Sequence, residues 1–296
     1  MGFKSGFITI IGRPNVGKST LLNQILGEKI AIVSDKPQTT RNRIQSIHTT
    51  DKYQMIFVDT PGINKARNKL DEFMTKEVST ALEDMDVLLW LIDDSLSLGS
   101  GDKKILEDLK TIKTPKILVI NKMDKLSEKN LEKIKNNYKD INIFEDIVPI
   151  SAINGKNVDK LLNKISGILP EGPKYYPEDM ITDQPERVIV GEIIREKSLH
   201  YLQQEVPHGV AVEVTSMKER KEKEIIDIQA TIFCEKDSHK GIIIGKSGRK
   251  LKGIGKSSRQ EIEKFLGIKV NLQLWVKVTK NWREKENLVK RMGYKK

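Results

Sequence analysis

The sequence predicts two domains: an α/β domain with a mostly parallel sheet covered by helices on both faces, then a smaller α+β domain. Three observations carry this. At 296 residues the chain is long enough to build two cores. Through Leu169, apolar runs alternate with segments of helical period, the pattern of a sheet buried on both faces. Beyond Glu186 the apolar residues recur with period two, which leaves one face of a sheet wet.

In chain order, "FITIIG", "YQMIFVD", "DVLLWLID", "KILVIN" and "IVPIS" read as strands of the first domain. Between the second and third, Leu70, Phe73, Met74, Glu77, Val78, Ala81, Leu82 and Met85 form a helical stripe with one polar intrusion, suited to packing on a sheet. "PEGPKYYPEDMITDQPE" carries four prolines and no periodicity. Residues 170–185 therefore read as an extended linker between a first domain, 1–169, and a second, 186–296. The second opens on a helix from about Glu186 to Gln204. Three alternating strands follow, on Val210, Val212 and Val214, on Ile226, Ile228, Ala230 and Ile232, and on Val270, Leu272, Leu274, Val276 and Val278.

The chain holds 52 Lys+Arg against 41 Asp+Glu, a net charge of +11. Eighteen Lys/Arg and five Asp/Glu lie between Lys236 and Lys296, so that segment nets +13 and the remainder −2. A basic C-terminal domain favours a polyanion, most commonly nucleic acid. The single cysteine, Cys234, and an N-terminus without an apolar leader predict a reducing cytoplasm, and no apolar run is long enough to span a membrane.

Gly12-Arg-Pro-Asn-Val-Gly17-Lys18-Ser19 satisfies G-x-x-x-x-G-K-[ST] between an apolar strand and a helical segment. In such a phosphate loop the glycines let backbone N–H groups converge on phosphate oxygens, Lys18 reaches the β- and γ-phosphates, and the Ser19 hydroxyl binds Mg²⁺. Candidate contacts here are Gly12, Asn15, Val16, Gly17, Lys18, Ser19 and Thr20. "DTPG" ends the next strand: Asp59 can hold Mg²⁺ through water and the Gly62 N–H can meet the γ-phosphate. "NKMD" supplies Asn121, Lys122 and Asp124. A carboxylate at Asp124 accepts the guanine N1–H and exocyclic amine, whereas adenine would leave it unpaired. "SAING" supplies Ser151 and Ala152, with a backbone N–H for the guanine carbonyl. Four motifs in this order at the ends of four strands indicate a guanine-nucleotide site.

From Gly6 to Leu169 the sequence resembles the translation-factor-like GTPases. The resemblance implies GTP hydrolysis by water attack on the γ-phosphate, with Lys18, Thr40 and Gly62 as the catalytic set, and places Thr40 on Mg²⁺ and the γ-phosphate. Where Ras-like enzymes carry a water-orienting glutamine, this chain has Ile63, so unaided turnover is expected to be slow. The subgroup with this replacement uses the residue at Asn15 to hold K⁺, a further expectation. No side chain is nominated as general base.

"GIIIGKSGRKLKGIG" repeats the Gly-Lys-Ser triplet, but from Gly241 the spacing is one residue short and no strand abuts it. Gly245-Lys246-Ser247-Gly248 instead reads as the GxxG loop of a KH domain, which clamps single-stranded nucleic acid. Lys246, Arg249, Lys250 and Lys252 are candidate RNA contacts, and Ile242, Ile243, Ile244 and Leu251 anchor the flanking helices and line a base groove. Lys250, Lys252, Lys256 and Arg259 either add phosphate contacts or solvate a helix face.

A GTPase domain followed by a KH domain of type II resembles the Era family of bacterial ribosome-assembly GTPases over essentially the whole chain. The resemblance implies binding near the 3′ end of small-subunit rRNA, assistance to 30S assembly, a monomer, and in some members peripheral association with the inner membrane. The rival reading is an RNA-binding module whose nucleotide is a structural ligand. Cys234 reads as inert packing, and Trp275 and Trp282 as either base-stacking or packing residues.

Overall fold

The computed structural model describes every residue except Met1, Asp35, Pro37, Ile63 to Lys65, Lys221, Lys295 and Lys296. Its contacts divide the chain into two compact units, one of Met1–Ala31, Thr40–Lys65 and Met74–Asp183, the other of Ile32–Thr39, Ala66–Phe73 and Gln184–Lys296.

The first unit holds a six-stranded sheet of β1 (Lys4–Gly12), β2 (Ile44–Thr49), β3 (Tyr53–Asp59), β4 (Val87–Ile92), β5 (Lys116–Ile120) and β6 (Asp146–Pro149), in the order β2-β3-β1-β4-β5-β6. Only β2 is antiparallel to its neighbour. In β4 and β5 the apolar side chains occupy both phases of the pleat. Leu89, Leu91, Ile117 and Val119 pack with α1 (Lys18–Leu26) and α5 (Val158–Ile168). Leu88, Trp90, Leu118 and Ile120 pack with α3 (Ser100–Thr111) and α4 (Glu128–Lys139). Two-sided burial is what the continuous apolar runs require.

One strand is missing from the sequence reading: Ile44–Thr49 forms β2, whose polar Gln45 and Ser46 hide the strand pattern. The helical stripe is shorter than expected. α2 (Lys69–Ala81) ends before Leu82 and Met85, and its one polar intrusion, Glu77, accepts the Arg43 backbone N–H at 3.3 Å.

The proline-rich segment is extended but bound. Gln54 Oε1 accepts the Tyr175 and Tyr176 N–H groups at 2.7 and 3.0 Å, Ile47 N donates to Ile181 O at 2.9 Å, and the Thr182 hydroxyl donates to Gln45 O at 2.8 Å. The segment is thus tied to β3 through Gln54 and to the open edge of β2 at Ile181 and Thr182.

The second unit contains α6 (Glu186–Tyr201), β7 (Ala211–Arg220), β8 (Ile225–Cys234), α7 (Asp237–Ile244), α8 (Arg249–Leu266), β9 (Lys269–Val278) and α9 (Glu286–Arg291). The helix expected to reach Gln204 stops at Tyr201. The sheet order is β7-β8-β9, with β8 antiparallel to β7 and parallel to β9. α6 holds Val33, Gln38 and Thr39: Val33 N donates to Glu196 Oε2 at 3.2 Å, and Arg195 donates to the Gln38 and Thr39 carbonyls. Cys234 is buried, and burial pushes its thiol up to about 11.

Trp275 is exposed, while Trp282 is fully buried among Ala211, Phe233, Val289, Met292 and Leu70, stacked on Tyr294 and donating Nε1 to Gly209 O at 2.9 Å. Trp282 is therefore a core residue. Trp282→Ala is expected to lower the unfolding free energy by about 3–5 kcal/mol, read as an earlier urea transition in this unit.

Candidate nucleotide site and nucleic-acid groove

The four motifs fall at the carboxyl ends of β1, β3, β5 and β6, the rim where parallel sheets place their ligands. The first loop joins β1 to α1 and needs both glycines. A Cβ at Gly12, where φ is +154°, would lie 2.4 Å from Leu91 O, and one at Gly17, where φ is +103°, would lie 2.2 Å from Asn121 Nδ2. Val16 is fully buried in the core, so it can offer a ligand only its backbone. Lys18 is buried and donates to the Gly12 and Arg13 carbonyls, both at 3.2 Å. Burial holds its ammonium below the usual lysine range, opposed by Asp59.

Asp59 is fully buried. Its Oδ2 accepts the hydroxyls of Ser19 at 2.9 Å and Thr40 at 3.3 Å, and these two hydroxyls lie 3.1 Å apart. Burial raises the Asp59 carboxyl above the usual range, against Lys18 and the hydroxyl bonds. Its Oδ1 is buried with no hydrogen-bond partner. Three hard oxygen donors around an under-solvated anion fit Mg²⁺, as the sequence expects of Ser19, Thr40 and Asp59. Gly62 lies against the first loop, where a Cβ would come 2.8 Å from Pro14 Cγ. Ile63 lies outside the described residues.

Asn121 ties the base site together: Nδ2 donates to Val16 O at 2.8 Å, and Oδ1 accepts the Ala152 N–H at 2.9 Å. The Ser151 hydroxyl donates to Asp124 Oδ1 at 2.6 Å, orienting the carboxylate that the sequence reading assigns to guanine. Lys122 follows Asn121 in the left-handed region, φ 61°. Asn15 is likewise left-handed, φ 66°, and exposed; Thr20 is half-buried on α1.

In the second unit Gly241 lies inside α7, so the second Gly-Lys-Ser triplet does not follow a strand. Gly245 to Gly248 make the turn from α7 to α8. Gly245 and Gly248 have φ of 72° and 74°, and a Cβ at Gly245 would meet Lys250 Cβ at 2.7 Å. Beside this turn a cavity of about 550 Å³ opens between α8 and β9, lined by Gly248, Leu251, Lys252, Gly255, Lys256, Arg259, Leu272 and Leu274. Arg249, Lys252, Lys256 and Arg259 are exposed at helical spacing along one face of α8. Lys246 and Ser247 are exposed at the turn, and Lys250 is half-buried. Of the four apolar residues expected at the groove only Leu251 lines it, joined by Leu272 and Leu274; Ile243 is buried and Ile242 exposed. The two β9 leucines read as core in the sequence, because alternation reports the face of a strand and not what covers it.

A family model described as a 50S ribosome-binding GTPase matches residues 7–122, and a KH-domain model matches residues 205–283. GTPase Era of Alkaliphilus metalliredigens is 58% identical, covering 99% of this chain and 100% of its own length, and that of Clostridioides difficile is 60% identical over 99% of both. The chain belongs to the Era family. A crystal structure of Era in complex with MgGDPNP and nucleotides 1506–1542 of 16S ribosomal RNA is 41% identical and superposes with a TM-score of 0.95 over 99% of both chains. A variant of Aquifex aeolicus Era bound to GDP·AlF₄⁻ matches with the same values. As a member of this GTPase family, the chain hydrolyses GTP.

Replacing Asp124 by Asn swaps one acceptor for a donor. Asp124→Asn is expected to weaken GTP binding by about 10²-fold or more and to improve xanthosine triphosphate binding, because xanthine presents a carbonyl where guanine has an amine. Competition for a fluorescent nucleotide measures both.

Proposed function

We propose that the chain is a GTP-driven switch that grips the single-stranded 3′ region of small-subunit ribosomal RNA and assists 30S subunit assembly. One observation carries this reading: a glycine turn opens an apolar groove rimmed by Lys252, Lys256 and Arg259, in a chain that superposes end to end on an Era bound to 16S ribosomal RNA. Glycines at 245 and 248 allow the backbone to approach sugar-phosphate, the cations Lys246, Arg249, Lys250 and Lys252 meet its charge, and the leucines receive unstacked bases.

In the nucleotide site Lys18 and the first-loop amides stabilise charge on the phosphates, and the Gly62 N–H faces the γ-phosphate. Ser19, Thr40 and Asp59 would hold Mg²⁺, which when bound neutralises phosphate charge. Thr40 follows the segment held by α6, and loss of the γ-phosphate removes one of its partners, so this loop is the element that relaxes after hydrolysis. Assistance from K⁺ at Asn15 rests on the family resemblance and on its position at the exposed edge of the first loop.

Phosphate release from GTP is expected to be stimulated by a single-stranded RNA carrying the 16S 3′ sequence and abolished in Lys18→Ala. It should also run several-fold faster in KCl than in NaCl. Lys246→Asp with Lys250→Asp is expected to lower RNA affinity at least about tenfold and flatten its salt dependence, measured by fluorescence anisotropy. RNA binding without any effect on turnover would favour the rival reading, in which nucleotide is a structural ligand.

A further inference from the structure

The first loop contains a cation that phosphate binding does not use. Arg13 sits between Gly12 and Pro14, and its side chain turns away from the loop to two carboxylates on different elements. Its Nε donates to Asp102 Oδ1 at 2.9 Å, in the first turn of α3, and its Nη2 donates to Asp93 Oδ1 at 2.9 Å, just past the end of β4. Asp102 is only 2% exposed and also accepts the Gly99 backbone N–H. Asp93 has a second oxygen, and it faces the base loop: Oδ2 lies 3.9 Å from Lys122 Nζ, which also has Asp94 Oδ1 at 4.0 Å. The Ser95 hydroxyl and N–H donate to Oδ1 at 2.7 and 3.2 Å, which fixes the plane of the carboxylate. Charges therefore alternate from Asp102 through Arg13 and Asp93 to Lys122.

The two ends of this row carry different parts of the ligand. Arg13 shares its backbone with the loop that receives phosphates, and its carbonyl already accepts from Lys18 at 3.2 Å. Lys122 lies between Asn121 and Asp124 in the loop that receives the base. A nucleotide in one bound conformation has one base-to-phosphate span, so the two loops must present their groups at a matching separation.

We infer that Asp93 is a positioning residue for guanine-nucleotide binding, bridging Arg13 of the phosphate loop and Lys122 of the base loop so that both ends of the nucleotide are met at once. The inference rests on the nucleotide site proposed above. Because the bridge touches neither the γ-phosphate nor the attacking water, it acts equally on GTP and GDP and leaves the chemical step alone.

The test uses the full chain and the variants Asp93→Asn, Arg13→Gln and the two combined. Fluorescent GDP and a GTP analogue report dissociation constants, and phosphate release reports kcat. Each single variant is expected to weaken both nucleotides alike by about tenfold, with kcat within twofold. The double variant is expected to be no weaker than about tenfold, since either change breaks the same bridge. Unchanged affinity in the single variants, additive losses in the double variant, or a loss confined to kcat would each overturn the assignment. Arg13→Lys keeps a cation that reaches one carboxylate and not both, and its affinity should fall between those of the unmodified chain and Arg13→Gln; affinity as low as in Arg13→Gln counts against the bridge. Lys18→Ala separates the two readings. If it binds GTP as tightly as the unmodified chain, the site itself is misassigned, whereas Lys18-dependent binding with an indifferent Asp93→Asn removes only the bridge.

Discussion

The carboxylate of Asp59 is cut off from water at the end of β3, and the nucleotide-binding unit is arranged around the consequences. An anion in such a place is costly unless other groups replace its hydration. Ser19 and Thr40 supply two hydroxyls to one oxygen, Lys18 supplies a buried positive charge, and the second oxygen is left bare. This incomplete satisfaction is what a divalent cation relieves. Residues from the first loop, the following loop and β3 converge on one point to make it.

The same logic separates the two loops that share Gly-Lys-Ser. After a buried strand the triplet starts a helix at Lys18, so N–H groups and lysine gather on a compact phosphate cluster. After a helix it makes a tight turn at two left-handed glycines, with cations spaced along α8. Local sequence sets the chemistry available. The preceding element sets the geometry in which it is displayed.

Most of the nucleotide site is legible in the sequence because its requirements are local and severe: Gly17 admits no Cβ, Asn121 must reach both Val16 and Ala152, and each motif follows an apolar run. Five of the six strands are visible as apolar runs. β2 is not, because this edge strand carries Gln45 and Ser46; the Tyr176 hydroxyl donates to Gln45 Oε1 at 2.8 Å and the Thr182 hydroxyl to Gln45 O. The groove beside Gly248 was legible in its cations and only partly in its apolar wall, for Leu272 and Leu274 look like core residues until the space beside them is seen. Arg13 and Asp93 gave no signal at all. They are eighty positions apart, and long-range ion pairs leave no period in a sequence.

The segment from Tyr175 to Thr182 has a further consequence for the behaviour of the molecule in a crowded cell. By bonding to the Ile47 amide and the Gln45 carbonyl it covers part of a β2 edge onto which another copy could pair. Proteolytic nicking there would expose a sticky border while leaving every nucleotide ligand in place, so the first symptom of damage would be self-association and not inactivity.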